Sequence, residues 1–231
     1  MLFEALVDDI IQRTHNVKSY RFSYPSSFSY EAGQFLFITL EKGKEKLKKP
    51  FTISSSPTEE FIEFTKKLTG HQFSNMLDSF QVGDCMKIDA PYGKLVLDKQ
   101  QKKIGMLSGG IGITPLRSIC RYATDLHLET NIILLYGNET YEDIVFRQEL
   151  KQMEKENENL KVVHVLNKPP SNWDGYTGYI NAEVIQKEIP DYKKRVFYTC
   201  GPPGMVKAMM KLLHDLDVQN KQMKIENFAG Y

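Results

Sequence analysis

The chain has 231 residues, of which 41% are hydrophobic and 26% charged, and its net charge is +1. This composition is typical of a soluble globular protein with a sizeable core, and the balanced charge gives no indication of a nucleic-acid partner. The three cysteines, Cys85, Cys120 and Cys200, are far apart and odd in number, which favours free thiols in a reducing compartment over a disulfide framework.

Further classes of protein are excluded by the arrangement of particular residues. The histidines and cysteines lack the spacing of metal ligands, so we expect neither a metal ion nor an iron–sulfur cluster. The N-terminus soon reaches acidic residues and lacks the pattern of a signal peptide, and no apolar run is long enough to span a membrane. We therefore expect a cytoplasmic protein.

Residues 1–98 are predicted to form a unit built almost entirely of β-strands. Short apolar segments alternate with turns, a spacing typical of an antiparallel barrel or sandwich. One helix at residues 74–80 interrupts the pattern, because Phe73, Leu77 and Phe80 recur at helical spacing. The predicted strands are residues 3–11, 17–22, 34–40, 51–54, 61–68 and 86–89.

A lysine-rich segment is the marked charge cluster of this unit. Glu41 and Glu45 are interleaved with its lysines, so we interpret the segment as a solvated turn. A docking patch for an acidic partner is the alternative. The lysines are Lys42, Lys44, Lys46, Lys48 and Lys49.

Residues 98–103 are strongly polar and are predicted to separate the first unit from a second one. Beyond them, apolar strands alternate with amphipathic helices, which predicts a mostly parallel sheet covered on both faces. The predicted strands are residues 104–107, 132–136, 162–166 and 196–200, and the predicted helices are residues 115–125, 141–155, 182–187 and 203–216.

Three glycine-bearing turns follow predicted strands of the second unit, beginning at Ser108, Gly137 and Gly201. Because the carboxyl ends of parallel strands share one edge of a sheet, we expect the turns to converge there. The first turn leads through Thr114 and Pro115 into a helix, an arrangement that favours a dinucleotide pyrophosphate. An ordinary strand–helix turn is the alternative, since the spacing differs from the Rossmann fingerprint.

Five segments resemble the ferredoxin–NADP reductase superfamily, in the order in which that family carries them, and the resemblance covers nearly the whole chain. It implies an antiparallel Greek-key β-barrel that binds flavin in residues 1–98. An α/β domain with a parallel sheet, which binds the nicotinamide dinucleotide, would follow in residues 103–231. The segments are Lys49-Pro50-Phe51-Thr52, Gly70-His71-Gln72-Phe73-Ser74, Gly109-Gly110-Ile111-Gly112-Ile113-Thr114-Pro115, Cys200-Gly201-Pro202-Pro203-Gly204-Met205 and Glu226-Asn227-Phe228.

The first two segments and the strand between them would bind FAD in a protein of this family. Lys49 would face the flavin pyrophosphate, Phe51 would pack on the flavin, and the hydroxyl of Thr52 would lie near its reactive nitrogen. The chain departs from the family at Lys49, because arginine is usual there and can form two parallel hydrogen bonds that lysine cannot. It departs again at His71, where the family often has a second glycine. The FAD-binding residues implied by the resemblance are Lys49, Pro50, Phe51, Thr52, Thr65, Lys67, Thr69, Gln72, Phe73 and Ser74.

The remaining segments would bind the nicotinamide dinucleotide. Thr114 and Cys200 would lie near the nicotinamide ring, the cysteine as a thiol rather than a covalent nucleophile. Glu226 would help to organise proton or hydride transfer, and Phe228 would cover the flavin ring, with Tyr231 as a second candidate for that cover. The catalytic residues implied are Thr52, Thr114, Cys200 and Glu226. The dinucleotide-binding residues implied are Gly109, Gly110, Gly112, Ile113, Thr114, Pro115, Gly137, Asn138, Asp143, Cys200, Gly201, Pro202, Pro203 and Met205.

The resemblance implies an enzyme that passes hydride from NAD(P)H to bound FAD and then electrons to an acceptor. NADH is favoured, because one glycine turn offers Glu139, Glu142 and Asp143, whereas a 2′-phosphate needs a basic residue. The acceptor stays open among ferredoxin, flavodoxin, a cytochrome, an oxygenase component and free flavin. Two alternatives remain: a free-flavin reductase that uses FMN, FAD or riboflavin as substrate, and an electron-transfer or regulatory subunit of a larger complex.

Overall fold

The chain combines antiparallel strands in its N-terminal part with a parallel sheet and helices in its C-terminal part. The computed structural model describes residues 1–228, so the predicted role of Tyr231 lies outside the described residues. Within that range, no helix has both the length and the apolarity needed to cross a membrane.

The N-terminal part is the predicted antiparallel barrel. One sheet has the strand order β1-β7-β4-β5 and the other the order β2-β3-β6, with antiparallel pairing throughout. A bridge between Ile53 and Phe64 joins the two sheets. The elements are β1 (Leu2–Leu6), β2 (Asp9–Thr14), β3 (Val17–Phe22), β4 (Phe35–Lys42), β5 (Glu45–Thr52), β6 (Ile62–Lys67), α1 (Gln72–Asp78) and β7 (Cys85–Tyr92).

Alternation of side chains along each strand builds the core of the barrel. In β4, Leu36, Ile38 and Leu40 are fully buried in that core, whereas Phe35 and Phe37 lie on the outer face and are half-buried. This is the period of two that a strand requires when one of its faces is covered.

The first predicted strand, at residues 3–11, is two strands in different sheets. The amide of Val7 donates to the carbonyl of Asp84 near β7, and the next amide, of Asp8, donates to the carbonyl of Arg21 in β3. The chain therefore changes partner between these two residues. The apolar pattern continues through the corner because Val7 is itself buried.

The lysine-rich segment is largely strand rather than turn. Lys46 and Lys48 belong to β5, where they pair with Glu41 and Thr39 of β4, and the turn is confined to Gly43 and its neighbour in sequence. Pairing with β4 favours a strand here, despite the high polarity of the sequence.

The C-terminal part has the predicted parallel sheet, with the strand order β11-β10-β9-β8-β12-β13. Helices α2 and α3 pack on one face of the sheet, and α4 and α5 pack on the other. The elements are β8 (Lys103–Gly109), α2 (Ile113–Asp125), β9 (Asn131–Asn138), α3 (Arg147–Glu156), β10 (Leu160–Leu166), β11 (Tyr176–Thr177), α4 (Ala182–Glu188), β12 (Val196–Gly201), α5 (Pro203–Asp215) and β13 (Met223–Asn227).

Two differences from the prediction affect the C-terminal part. Helix α3 begins at Arg147 rather than at residue 141, because Phe146 takes the left-handed conformation with φ of 60°, which ends helical continuity. The sheet also has two edge strands that the sequence pattern did not indicate: β11 pairs in parallel with β10, and β13 pairs in parallel with β12.

The strand order reverses beside β8. The chain passes from β8 to β9 on one side, while β12 lies on the other side. In an open α/β sheet, this switch point leaves a crevice beyond the carboxyl ends of the two strands. Cys200 in β12 is in register with Ser108 of β8 and with Glu226 of β13, so these three residues end neighbouring strands at the crevice.

Candidate active site between the barrel and the parallel sheet

A cleft of about 570 Å³, which we call cleft A, lies where the barrel meets the carboxyl edge of the parallel sheet. The barrel contributes aromatic residues and threonines, and the sheet contributes the start of α2 and the end of β13. Its lining residues are Phe35, Pro50, Phe51, Thr52, Thr65, Thr114, Glu226, Asn227 and Phe228.

A second cleft of about 800 Å³, cleft B, lies next to cleft A along β5. Pro50 and Phe51 line both clefts, so the two clefts are neighbours at these residues. The lining of cleft B is more polar and includes two lysines. Its residues are Leu47, Lys49, Pro50, Phe51, Lys66, Thr69, His71, Gln72, Phe73 and Ser74.

The two threonines that the barrel contributes to cleft A are held firmly. Thr52 ends β5 and is 7% exposed. The hydroxyl of Thr65 lies 2.9 Å from the Ser54 hydroxyl and 2.7 Å from the Ser19 hydroxyl, within a buried hydrogen-bond network. This network fixes the wall of the cleft from behind.

Thr114 reaches cleft A from the opposite part of the chain. It lies in the first turn of α2, is buried, and donates a hydrogen bond from Oγ1 to the carbonyl of Ile111 at 3.2 Å. The preceding turn requires a glycine at position 112, because a Cβ there would come within 2.2 Å of the carbonyl oxygen of Cys200. Gly110 has φ of +51°, and a Cβ there would meet nothing within 4 Å among the described residues, so this side of the turn is open.

Cys200 is fully buried behind this turn. Its Sγ donates to the carbonyl of Gly112 at 2.9 Å, and burial raises the pKa of the thiol well above its usual value. A thiol in these surroundings stays protonated and is a poor nucleophile. The side chain therefore ties β12 to the start of α2.

Glu226 brings a carboxyl group into cleft A. It ends β13 beside Cys200, and its Oε2 is buried without a hydrogen-bond partner among the described residues. Burial raises the pKa of this carboxyl to about 7. The barrel lies close by, because a Cβ at Gly93 would be 3.5 Å from the Glu226 Oε1 and 2.9 Å from the Phe35 ring.

A third cleft of about 570 Å³, cleft C, lies at the same edge of the parallel sheet. The glycine turns after β8 and β9 meet there beside the start of α5, so two of the three predicted turns line one cleft. The Ser108 Oγ is buried without a partner among the described residues. The lining residues are Ser108, Gly109, Gly137, Asn138, Glu139, Gly178, Tyr179, Ile180, Met205 and Met209.

Several predicted site residues lie outside the three clefts. Lys67 is exposed on the face of β6 opposite to Lys66. Asp143 accepts a hydrogen bond from the Thr140 hydroxyl at 2.8 Å and so stabilises its own turn. Ile113 and Pro115 are buried in the first turn of α2. Gly201, Pro202 and Pro203 shape the turn into α5 without lining a cleft.

Other residues of the clefts were not predicted. Lys66 continues the inward-facing row of Ile62 and Phe64, an alternation that is visible in the sequence. Tyr179 carried no comparable signal, because it reaches its cleft only through the packing of distant segments.

The residues of clefts A and B fit a flavin dinucleotide. Cleft A offers aromatic and apolar walls together with the unpartnered Glu226 Oε2. Cleft B, which shares Pro50 and Phe51 with it, offers lysines to a diphosphate. Cleft C fits a second dinucleotide, because glycines of two strand–helix turns line it together with the Ser108 hydroxyl, which has no partner among the described residues.

Two protein-family models match the chain, one for each part. The oxidoreductase FAD-binding domain matches residues 4–97, and the oxidoreductase NAD-binding domain matches residues 106–211.

Named relatives cover most of the chain. It is 33% identical over 218 residues to NADH-cytochrome b5 reductase 1 of Aspergillus terreus. The aligned region covers 88% of this chain and 74% of that protein. The chain is 31% identical over 230 residues to the glycine betaine monooxygenase reductase subunit of Chromohalobacter salexigens, covering 96% of this chain and 62% of that protein.

Solved structures share the fold. The FAD/NAD-binding domain of a nitric oxide dioxygenase from Vibrio cholerae O1 biovar El Tor superposes with a TM-score of 0.87 at 20% identity, covering 97% of this chain and 98% of that one. The cytochrome b5 reductase domain of Ulva prolifera nitrate reductase has a TM-score of 0.86 at 23% identity, covering 98% and 97%. At these identities the likeness concerns the fold alone.

Proposed function

This chain belongs to the ferredoxin–NADP reductase superfamily, and from that premise we propose that it carries electrons from NADH, through FAD, to a cytochrome or an oxygenase component. It is an oxidoreductase with an FAD-binding and an NAD-binding domain. The observation that carries the proposal is cleft A, where Thr52 of the barrel and Thr114 of α2 line one cavity. The choice of acceptor is supported by the names of the relatives.

Residues of the barrel would hold FAD across clefts A and B. When bound, FAD supplies the ability to accept electrons in pairs from a dinucleotide and to pass them on. Phe51 offers an aromatic face at the junction of the two clefts, and Thr52 offers a buried hydroxyl beside it. Lys49 would bind phosphate in cleft B.

Residues of the parallel sheet would orient the nicotinamide dinucleotide. Gly110 leaves room above the turn, and Thr114 at the start of α2 reaches into cleft A, so the nicotinamide end would enter there. The adenosine end would lie in cleft C, near Tyr179. Holding two ring systems in one orientation supplies much of the rate enhancement in reactions of this kind.

Glu226 and Phe228 would control protons and water in cleft A. With a pKa of about 7, the Glu226 carboxyl carries a proton about half of the time at neutral pH and can release or accept it at Oε2. Phe228 lines the same cleft, held by a 2.9 Å hydrogen bond from its amide to the carbonyl of Gly201. Its ring would exclude water until the nicotinamide displaces it.

The preference for NADH rests on cleft C. Glu139 lines this cleft, and among the described lining residues none is basic. Glu139 is itself paired with Lys168, whose Nζ lies 2.7 Å from Oε1. A 2′-phosphate would meet the carboxylate first, which disfavours NADPH.

Steady-state kinetics with the two dinucleotides test this preference. We expect kcat/KM to be at least about 10-fold higher for NADH than for NADPH, and Glu139→Gln to narrow the ratio by releasing Lys168. Glu142→Gln, an exposed change outside cleft C, is the matched control and should leave the ratio unchanged. A preference for NADPH in the wild type would contradict the proposal.

The domain division and the location of the protein belong to the same proposal. We place the FAD domain in residues 1–98 and the NAD domain in residues 103–231. The three cysteines are all free thiols in the structure, which supports a reducing compartment such as the cytoplasm.

A further inference from the structure

Tyr136 brings a hydroxyl group to the glycine turn that leads into α2. The residue lies in β9 and is fully buried, and its hydroxyl donates a hydrogen bond to the carbonyl of Gly110 at 2.9 Å. It is not among the described residues that line clefts A, B and C. Any effect of this hydroxyl on a ligand must therefore pass through the backbone of the turn.

The next two carbonyls of the turn are also held by side chains. The Thr114 Oγ1 donates to the carbonyl of Ile111 at 3.2 Å, and the Cys200 Sγ donates to the carbonyl of Gly112 at 2.9 Å. Three successive carbonyls thus accept hydrogen bonds from three different elements, β9, α2 and β12. Because the protein takes up these carbonyls, the amides at the start of α2 are the groups left for an anion.

Of the three donors, Tyr136 holds the glycine that packing confines least. Gly110 has φ of +51°, and a Cβ there would meet nothing within 4 Å among the described residues. A Cβ at Gly112, by contrast, would collide with the Cys200 carbonyl oxygen. The amide of Ile113 also donates to the Gly110 carbonyl, but it belongs to the same turn. Tyr136 is therefore the partner that ties Gly110, a residue with many accessible conformations, to the sheet.

The phenol of Tyr136 is itself fixed. Strand β9 pairs with β8 on one side and with β10 on the other, where Tyr136 is in register with Ser108 and His164. The ring centroids of Tyr136 and His164 are 5.8 Å apart. Burial raises the pKa of the phenol, so the hydroxyl stays protonated and able to donate at neutral pH.

We propose that Tyr136 is a positioning residue for the dinucleotide: by holding the Gly110 carbonyl, its hydroxyl fixes the turn in the conformation that binds the diphosphate of NADH. This inference rests on the proposed function and adds a residue that controls dinucleotide affinity rather than hydride transfer. A turn that is fixed beforehand binds more tightly, because the ligand does not have to select one conformation among several.

Stopped-flow reduction of the FAD-loaded full-length chain by NADH separates affinity from rate. From the dependence of the reduction rate on NADH concentration, we expect Tyr136→Phe to raise the dissociation constant of NADH by about 3- to 10-fold, as for the loss of one neutral hydrogen bond. The limiting rate of reduction should change by less than about 2-fold, because Tyr136 does not line cleft A.

Tyr198→Phe is the matched control. Tyr198 is also fully buried in the parallel sheet, and its hydroxyl donates to the carbonyl of Val96 at 3.1 Å. It is not among the described residues that line the three clefts. We expect both variants to unfold at lower urea concentrations than the wild type, but Tyr198→Phe should leave the dissociation constant of NADH unchanged.

ADP-ribose identifies the part of the dinucleotide that is affected, since it carries the diphosphate but no nicotinamide. We measure it as a competitive inhibitor against NADH, with ferricyanide as the electron acceptor. In Tyr136→Phe, its inhibition constant should rise by about the same factor as the dissociation constant of NADH.

Three results would overturn the inference: equal NADH affinity in the wild type and Tyr136→Phe, a fall in the limiting rate as large as the rise in the dissociation constant, or an unchanged inhibition constant of ADP-ribose. A wild type whose bound flavin NADH does not reduce would overturn the proposed function, and this inference with it. A wild type that NADH does reduce, together with any of the three results, would overturn the inference alone.

Discussion

Glu226 holds a carboxyl group where ionisation is unfavourable. Its Oε2 has no hydrogen-bond partner among the described residues, and burial raises its pKa from 4.5 to about 7. Between these two values, the folded chain binds more protons at this group than the unfolded chain does. The contribution of Glu226 to the stability of the fold is therefore complete below about pH 4.5 and is lost as the pH rises to about 7.

Replacing Glu226 by glutamine should remove this dependence. Between about pH 5 and pH 7.5, we expect the free energy of unfolding of the flavin-free wild type to fall by about 1–3 kcal/mol more than that of Glu226→Gln. Urea unfolding at the two pH values measures the difference. Glu4→Gln, an exposed change in β1, is the control, and equal pH dependence in the wild type and Glu226→Gln would contradict the assignment.

Thr114 should affect electron transfer more than cofactor retention. Thr114→Val keeps the shape of a side chain that lines cleft A but removes its hydroxyl, which donates to the carbonyl of Ile111. We expect reduction of bound flavin by NADH, followed by stopped-flow absorbance, to slow by about 10-fold or more. FAD affinity should change by less than about 2-fold.

A buried threonine elsewhere provides the control for Thr114. Thr130→Val removes the hydroxyl that donates to the carbonyl of Gln101, away from the three clefts, and should leave the reduction rate unchanged. If Thr114→Val instead weakened FAD binding more than it slowed reduction, the turn would belong to the flavin rather than to the nicotinamide.

Single residues differ in how far the sequence predicts them. The resemblance selected Lys67, yet the alternation Ile62, Phe64, Lys66 already indicates which lysine faces inward. The surroundings of Glu226 were not predictable in this way. They depend on a barrel residue, Gly93, that lies far away in the sequence and comes close only in the folded chain.

At the scale of elements, the close approach of α2 to β12 is the feature that forms the crevice. Gly112→Ala would place a methyl group within 2.2 Å of the Cys200 carbonyl oxygen, so we expect it to lower the free energy of unfolding by about 1–3 kcal/mol. Gly204→Ala, in α5, is the matched control, because no described residue would come within 4 Å of the added Cβ.

Denaturant unfolding of the two alanine variants measures this contrast. Gly204→Ala should be neutral or stabilise the chain by up to about 1 kcal/mol, because alanine favours the helix. Equal stability of Gly112→Ala and the wild type would mean that the turn can move away from β12, and the crevice would then lack a fixed wall.

Elements with long periodic patterns were predicted from the sequence. Elements whose boundaries depend on contacts with distant parts of the chain were not. The parallel strands and α2 follow from apolar runs and amphipathic spacing. The late start of α3 depends on the left-handed conformation of Phe146, whose ring packs beneath arginines of both parts of the molecule. Strand β13 is short and polar, and it forms because β12 offers it an edge.

At the scale of the whole molecule, a buried ion network joins the barrel to the parallel sheet. Arg117 of α2 is 3% exposed, and its Nη2 lies 2.9 Å from Glu59 Oε1 and 2.6 Å from Glu149 Oε2. Arg13 of the barrel binds Glu63 at 2.7 Å and Glu149 at 2.5 Å. Each arginine thus joins a carboxylate of one part to a carboxylate of the other.

Glu63 shows how closely the charges of this network are balanced. It is fully buried, and burial alone would raise its pKa, but Arg13, Arg117 and Arg21 more than compensate and hold the pKa below its usual value. The network was not predicted, because its members are scattered: Arg13 and Glu149 are 136 positions apart.

Cutting the network at Arg117 should be costly. Arg117→Met leaves the partly buried carboxylates of Glu59 and Glu149 without this buried partner, and we expect it to lower the free energy of unfolding by about 3–5 kcal/mol. Arg121→Gln, on the same helix, breaks the more exposed pairs with Asp125 and Glu156 and should cost less than about 1 kcal/mol. Similar losses in the two variants, measured by urea unfolding, would show that the interface does not depend on this network.

The absorbance spectrum of the purified full-length chain tests the central claim most directly. If clefts A and C hold FAD and NADH, the protein should show flavin absorbance, as purified or after addition of FAD and desalting. Anaerobic NADH should bleach that absorbance within a single turnover. A chain that retains no flavin after desalting, or a bound flavin that NADH does not bleach, would contradict the account.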